Sequence, residues 1–346
     1  MHKPEKIFTS KKTAYFDHNV LDNFLKYPEI SFFKDIAIEH QAVYSDETLR
    51  EIRRSVGGET KFLDALVGLN AMHIKIYLDE NFDATGDAVL SEVNPYKVYE
   101  QICREDSFTE KLNSSTQSSL RKFYGDITLP EFGELSNQSG QAFQNVLSDL
   151  VRTVAEYSTS DLELLERLKE YAARTLASQI EAQRQTSAMM QRYRCDGSIS
   201  SVNVYRNSVG IGPKQLNNVS HPNVIEKLWA LHKPLPGYRD MGYSVEDFLG
   251  ISYLTSGLNG VVTDFQKIIA AYNVLNVIGY HNDSGLKHTH RFTSSMSDAT
   301  HVAFASFTDL FYSSDKGLLS KASAIYEFLN LKTKVCRLRI VDNRRV

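Results

Sequence analysis

Cysteine is scarce in this chain, and its spacing limits what the protein can be. The 346 residues include only three cysteines, at positions 103, 195 and 336, and no two of them form a C-x-x-C pair. This spacing excludes a disulfide framework and is typical of proteins that work in a reducing compartment. We therefore expect a cytoplasmic location.

Long apolar runs and a strong excess of one charge are also missing. The sequence contains no run of about 18 apolar residues, the length that a membrane-spanning helix needs. The N-terminal stretch MHKPEKIFTSKK lacks the apolar core of a signal peptide. Lys and Arg total 39 against 42 Asp and Glu, a net charge of −3. We expect no membrane partner, and a nucleic-acid site would have to be a local patch.

Predicted strands and helices alternate at both ends of the chain. Hydrophobic residues make up 42% and charged residues 23%, which is an ordinary globular composition. The predicted strands are TAYFD, AVYS, HIKIYL, TDLFYSS and KVCRLRIV, at residues 13–17, 42–45, 73–78, 308–314 and 334–341. Helical patterns separate these strands, and such alternation favours a mainly parallel sheet covered on both faces.

The middle of the sequence has a different pattern. Residues 83–263 are mostly polar and predict helices, the clearest of them over residues 160–194, with a Ser-, Asn- and Gly-rich loop at residues 195–222. We therefore predict a three-layer α/β/α domain made of residues 1–82 and 264–346. A large helical insertion, residues 83–263, would interrupt it.

Acidic residues occupy the ends of several predicted elements. Asp17 ends the first strand, and Asp315 ends the strand TDLFYSS. Glu51 lies on the helix after AVYS, and Asp298 opens a helix that would enter the sheet from the same side. Because open parallel sheets bind ligands outside the carboxyl ends of their strands, we expect these side chains to converge. Such a cluster would repel itself unless a divalent cation, Mg²⁺ or Mn²⁺, were bound.

Three blocks of sequence around these acids resemble the PIN-domain nucleases. In YFDHNVLDNF a strand ends in Asp, and Asn follows two residues later. In VYSDETLREI, Ser45 and Glu51 match the family's Ser…Glu spacing. The third block, SDATHVAFASFTDLFYSSDKGLLSKA, is the most specific, with an Asp-Ala helix, a run of small residues, and Ser/Thr-x-Asp at a strand end. The resemblance covers roughly residues 10–80 and 264–341 but not the insertion.

The resemblance implies a metal-dependent phosphodiesterase, usually one that cuts RNA and leaves a 5′-phosphate. It implies that Mg²⁺ or Mn²⁺ is held by four catalytic carboxylates, Asp17, Glu51, Asp298 and Asp315. Asn19 and Ser313 match positions that support the site. We predict an endoribonuclease that uses metal-activated water and no covalent nucleophile. A bacterial toxin or defence role, and an inhibitor or regulatory protein as partner, are implied by the family alone.

A few further residues are candidates of lower rank. Glu47 lies one helical turn before Glu51, so it could support or replace that carboxylate. Lys287 and Arg291 precede the third block and could contact substrate phosphates, although a solvated loop is the alternative. We interpret His301, in the same block, as a structural histidine that could lean toward the site.

Two other functions fit the same fold. One is a DNA-directed nuclease, with single-stranded DNA as a substrate, although the additional acids and the DNA-gripping helical motif of flap-type nucleases are not found in the sequence. The other is a non-catalytic PIN-like scaffold that binds RNA or protein, which loss of one or more acids would indicate.

The helical insertion would shape or gate the substrate groove, or form a homodimer through the helix at residues 160–194.

Overall fold

Six strands in the described part of the chain form one sheet. The computed structural model describes residues 10–28, 30–157, 162–191, 199–254 and 256–340. The strands are β1 Lys12–Phe16, β2 His40–Ser45, β3 Met72–Leu78, β4 Ala84–Ser91, β5 Leu310–Ser313 and β6 Lys334–Arg337. Their order across the sheet is β4-β3-β2-β1-β5-β6, and all neighbours are parallel except β3 and β4. The prediction of a mainly parallel sheet is confirmed.

Apolar side chains cover both faces of this sheet. Because successive strand residues point to opposite sides, Tyr15 and Val43 belong to one buried core, whereas Ala14, Phe16 and Tyr44 belong to another. Helices pack on each core. The architecture is therefore compatible with three layers, with helices on both sides of the sheet.

The helices of the N-terminal part cover one face. They are α1 His18–Lys26, α2 Ser31–Glu39, α3 Asp46–Arg54 and α4 Glu59–Gly68. Helix α3 begins at a capping box, in which the Ser45 hydroxyl accepts from the Thr48 backbone N–H while the Thr48 hydroxyl accepts from that of Ser45. This box satisfies donors that a helix start leaves open. It fixes the point at which α3 leaves the sheet, and with it the direction of Glu51.

The middle of the chain contains long helices followed by short ones. They are α5 Pro95–Phe123, α6 Phe132–Tyr157, α7 Leu162–Gln191, α8 Ser201–Val209, α9 Pro213–Leu216, α10 Val224–His232, α11 Pro236–Arg239 and α12 Val245–Phe248, with a 3₁₀ turn at Ile251–Tyr253. Helix α7 corresponds to the helix predicted over residues 160–194, whose first two and last three residues lie outside the described residues. The C-terminal helices are α13 Asp264–Ile278, α14 Thr289–Ala305 and α15 Lys316–Phe328.

Residues 83–263 differ from the predicted insertion in two respects. The segment begins with β4, which extends the sheet at its edge. The predicted loop at residues 195–222 contains α8, where Val202 and Tyr205 are buried in the same core as Tyr15. Short helices α8 to α12 therefore share a core with α13 to α15, while the division of the chain into domains stays a prediction. Of the described helices, not one combines the length and apolar character needed to cross a membrane.

Two local predictions near the C-terminus were wrong. Asp298 does not open a helix, because α14 begins at Thr289 and buries Phe292 and Ser295 before Asp298 is reached. The first half of α14 is rich in serine and threonine, so its buried face does not show the apolar pattern that predicts a helix. Asp315 does not end a strand either: β5 stops at Ser313, and Asp315 is the N-cap of α15.

A buried carboxylate attaches the long helix α7 to the sheet. Asp83 lies in the turn between β3 and β4 and is 8% exposed. Its Oδ1 accepts from Arg174 Nη2 of α7 at 2.9 Å, and its Oδ2 accepts from the Leu258 backbone N–H at 2.6 Å. Gly257 passes so close that an added Cβ would lie 2.3 Å from the Asp83 carboxyl carbon. Asp83 therefore joins three segments that are distant in sequence.

Replacing Asp83 with alanine should lower the free energy of unfolding by about 2–4 kcal/mol, because Arg174 and the Leu258 N–H lose a charged acceptor. Urea denaturation would measure the change. Glu80→Ala, at an exposed position in the same turn, is the matched control and should change stability by less than about 0.5 kcal/mol. Equal stability of the two variants would contradict the role given to Asp83.

Candidate functional site

The acidic residues lie where the strand order of the sheet reverses. From β1 the chain builds toward β2 and β3 on one side, and β5 and β6 lie on the other. Such a switch point is where open parallel sheets place their ligands. Asp17 directly follows β1, is 4% exposed, and its backbone N–H donates to the Tyr312 carbonyl oxygen of β5 at 3.0 Å. Its carboxylate therefore has a fixed place at this crevice.

Two side chains orient the Asp17 carboxylate. Ser313 Oγ donates to Asp17 Oδ2 at 2.7 Å, and Asn19 Nδ2 donates to the same oxygen at 2.5 Å. Asn19 is itself held, because its Oδ1 accepts from the Ser314 backbone N–H at 3.1 Å. The structure thus places Asn19 and Ser313, two of the three residues predicted to support the site, directly on Asp17.

A buried histidine connects Glu51 to the sheet. His301, on α14, is completely buried, and its Nε2 lies 3.0 Å from Glu51 Oε2. The Nδ1 atom of the same ring lies 2.7 Å from the hydroxyl of Tyr15 on β1. That hydroxyl also lies 2.6 Å from Ser45 Oγ. Three elements, β1, α3 and α14, therefore meet in one hydrogen-bonded chain.

The histidine and the glutamate shift each other's pKa. Burial raises the pKa of the Glu51 carboxyl, but His301, with smaller contributions from His18 and Arg54, lowers it to about 2. Burial alone would lower the pKa of His301, whereas the Tyr15 hydroxyl and the Glu51 carboxylate raise it well above its usual value. Glu51 is therefore ionised and His301 is cationic near neutral pH.

Asp17, Glu51 and His301 form a group that could hold a metal ion, since one potential ligand atom from each lies within 4.8 Å of the others. Both ring nitrogens of His301 already have partners, at Tyr15 and Glu51. The carboxylates of Asp17 and Glu51 are therefore the better ligands, with His301 positioning Glu51. Carboxylate oxygens suit a hard divalent cation such as Mg²⁺ or Mn²⁺.

Asp298 lies close enough to this group to be repelled by it. It is half-buried in the middle of α14, three residues before His301. Burial raises its pKa well above the ordinary value, and repulsion from Asp17, Asp283 and Glu51 adds to that shift. Asp298 is not part of the three-residue group, but its charge acts on the same crevice.

Asp315 has a different position from the one predicted. Its side chain is exposed, and its Oδ1 accepts from the Leu318 backbone N–H at 2.9 Å as the cap of α15. Its backbone N–H donates to Ser313 Oγ at 3.0 Å, and Ser313 in turn holds Asp17. Asp315 thus lies at the rim, outside the three-residue group.

Glu47 forms an ion pair with Arg54. Its Oε1 accepts from Ser297 Oγ at 2.5 Å and from Arg54 Nη2 at 3.1 Å. The same Arg54 nitrogen lies 3.6 Å from Glu51 Oε1. Glu47 therefore does not join the metal-binding group, and Arg54 links the two glutamates of α3.

The predicted substrate-binding cations lie on the surface. Lys287 is exposed just before α14, and Arg291 is exposed within its first turns. Arg291 precedes Asp298 by seven residues, nearly two helical turns, so both side chains lie on one side of α14. The two cations do not contact the carboxylates directly.

A buried lysine near the site was not predicted from the sequence. Lys321, on α15, is fully buried, and its Nζ donates to Asp283 Oδ1 at 2.7 Å. A signal was present, because Leu318, Ala322 and Ile325 form the apolar stripe of α15 and Lys321 falls within it. The importance of His301 was likewise underestimated, although it follows Asp298 by one turn.

Comparisons of the chain with family models, curated proteins and solved structures gave no significant match. The resemblance to PIN-domain nucleases therefore stays a prediction that rests on the three sequence blocks.

We expect His301 to be doubly protonated at about pH 7.5 in metal-free protein, because its neighbours raise its pKa above the usual value of about 6.5. Long-range ¹H–¹⁵N spectra distinguish imidazolium from the neutral ring, and the missing signal in His301→Gln assigns the resonance. Glu51→Gln removes the charged acceptor and should shift the ring toward its neutral form. A neutral His301 in the unsubstituted protein would contradict this electrostatic description.

Proposed function

We propose that this chain is a metal-dependent endoribonuclease with a PIN-like fold. The observation that carries the proposal is the meeting of Asp17 and Glu51 at the switch point of the sheet, with Asp298 in repulsive range of both. The sequence blocks that resemble the PIN family surround these same residues. Their position on rigid elements suits a site that must hold an ion in one place.

The charge balance of the crevice favours a bound cation. Asp17, Glu51 and Asp298 bring three carboxylates together, and the cations that act on them are His301, the exposed Arg54, and Lys321, which is already paired with Asp283. Burial raises the pKa of Asp17; the positive charge of His301 opposes this shift, and repulsion from Glu51 adds to it. Proton uptake is one way to relieve such repulsion, and a divalent cation is another.

The residues of the chain would position the reaction. When bound, Mg²⁺ or Mn²⁺ supplies an activated water and stabilises the charge that develops on the phosphodiester. Ser313 and Asn19 hold one oxygen of Asp17, and His301 keeps Glu51 ionised and fixed. Such preorganisation lowers the cost of bringing ion, water and phosphate into line.

RNA is the proposed substrate because the resembling family usually cuts RNA. Arg291 and Lys287 would contact phosphates beyond the cut site, since they are exposed on or next to the helix that carries Asp298. Helices α5 to α7 would shape or gate the groove, or form a homodimer. Cytoplasmic location, a toxin or defence role and a regulatory partner stay predictions.

The proposal is tested by incubating purified protein with end-labelled single-stranded RNA, structured RNA and single-stranded DNA, each with Mn²⁺, Mg²⁺ or EDTA. We expect metal-dependent cleavage of RNA that falls at least about 100-fold in Asp17→Asn and in Asp298→Asn, because each loses a carboxylate charge. Asp315→Asn should lose less activity, because asparagine also caps helices.

Asp240→Asn is the matched control, since Asp240 is exposed and pairs with its neighbour Arg239. It should retain full activity. Cleavage that survives in Asp17→Asn and Asp298→Asn would contradict the proposal. Cleavage of DNA alone would support the DNA-directed alternative, and metal-independent binding without cleavage would support the scaffold.

A further inference from the structure

Arg54 is an exposed cation that lies against one of the carboxylates of the crevice. It is the last residue of α3, the helix that also carries Glu51. Its Nη2 lies 3.6 Å from Glu51 Oε1, and its side chain is 40% exposed, compared with 15% for that of Glu51. The guanidinium group therefore borders the solvent beside a carboxylate that we assign to the metal ion.

Two hydrogen bonds hold this guanidinium group in place. Arg54 Nη2 donates to Glu47 Oε1 at 3.1 Å and to Ser297 Oγ at 2.8 Å. Ser297 is 2% exposed, directly precedes Asp298 on α14, and itself donates to Glu47 Oε1 at 2.5 Å. Arg54 is therefore anchored to both α3 and α14, the helices that carry Glu51 and Asp298.

The other nitrogens of the guanidinium group remain available to a ligand. All contacts of Arg54 with the described residues are made through Nη2, so that Nε and Nη1 have no hydrogen-bond or ion-pair partner among those residues. Guanidinium donors bind phosphate oxygens through charge-assisted hydrogen bonds, which are stronger than neutral ones. A positioned guanidinium group with open donors is thus suited to an anionic ligand.

We propose that Arg54 binds the phosphate of the RNA strand that lies at the metal-binding carboxylates. This inference rests on the proposed function. A phosphodiester beside Glu51 comes within reach of Arg54, because the guanidinium group is only 3.6 Å from that carboxylate. Negative charge on the phosphate oxygens is then stabilised by a cation whose position is fixed beforehand. Lys287 and Arg291 do not contact the carboxylates, so they suit phosphates farther along the strand.

The alternative is that Arg54 only neutralises Glu47 and Glu51, as ion pairs on one helix commonly do. In that case its replacement would change stability or metal affinity and leave the phosphate contacts as they are. The salt dependence of RNA binding separates the two roles. For single strands, each phosphate contact contributes about 0.7 to the slope of log K against log salt concentration.

The test is fluorescence anisotropy of a labelled single-stranded RNA with the purified full-length chain, with Ca²⁺ in place of Mn²⁺ to limit cleavage. We expect Arg54→Gln to raise the Kd about 10-fold and to reduce the salt slope by about 0.7. Arg54→Lys should keep the slope, because it keeps the charge. Arg239→Gln is the matched control, since Arg239 is exposed and pairs with its neighbour Asp240, and it should bind RNA as the wild type does.

Two further measurements locate the contact. Calorimetric titration should show Mn²⁺ affinity of Arg54→Gln within about 3-fold of wild type, because His301 still holds Glu51. Cleavage with Mn²⁺ should fall about 100-fold in Arg54→Gln, and Arg54→Lys should recover it only in part because lysine lacks the planar fork of donors.

The outcomes distinguish this inference from the proposed function. If folded Arg54→Gln keeps the wild-type salt slope, the role of Arg54 is overturned and the nuclease proposal stands. A reduced slope with unchanged cleavage would place the contacted phosphate away from the carboxylates and would also overturn it. RNA binding by the wild type without cleavage would contradict the nuclease, and the slope of Arg54→Gln would still decide the role of Arg54. No RNA binding by the wild type would contradict both.

Discussion

The buried chain of hydrogen bonds from Tyr15 through His301 to Glu51 is the interaction on which the acidic crevice depends. It joins a central strand, the first helix after the second strand, and the long helix α14. A buried glutamate without a partner would cost several kcal/mol, so the cationic ring allows Glu51 to stay charged inside the protein. The carboxylate is consequently ionised and fixed in position before any ligand arrives, which is what a metal site requires.

Cations and carboxylates alternate around the switch point. His301 faces Glu51, Arg54 bridges Glu51 and Glu47, and Lys321 faces Asp283. Asp17 and Asp298 form no direct ion pair with a described residue; burial raises the pKa of both, although His301 lowers that of Asp17 and Lys321 lowers that of Asp298. Asp17 lies at the carboxyl end of β1, and Asp298 lies in the middle of α14. The fold places its least compensated acids where an open parallel sheet binds ligands.

The sequence predicted the sheet and the place of Asp17 and Glu51 because strand periodicity and the convergence of parallel strand ends are local rules. It did not predict β4, an edge strand that lies where the polar, mostly helical segment was expected to begin. The predicted start of α14 was wrong because the buried face of its first half contains serine and threonine in place of apolar residues. Asp298 therefore lies in the middle of the helix and not at its start. Lys321 forms an ion pair with Asp283, which lies 38 residues earlier in the sequence. A local sequence pattern cannot predict such a contact.

The central claim is that Asp17 and Glu51 hold a divalent cation. Anomalous diffraction from crystals grown with Mn²⁺ tests it most directly, because the signal locates the ion itself. We predict one peak at about 2.1 Å from carboxylate oxygens of Asp17 and Glu51, with none beside Lys321. A crevice without a peak while Mn²⁺ binds elsewhere, or a peak coordinated by His301 in place of these carboxylates, would contradict it.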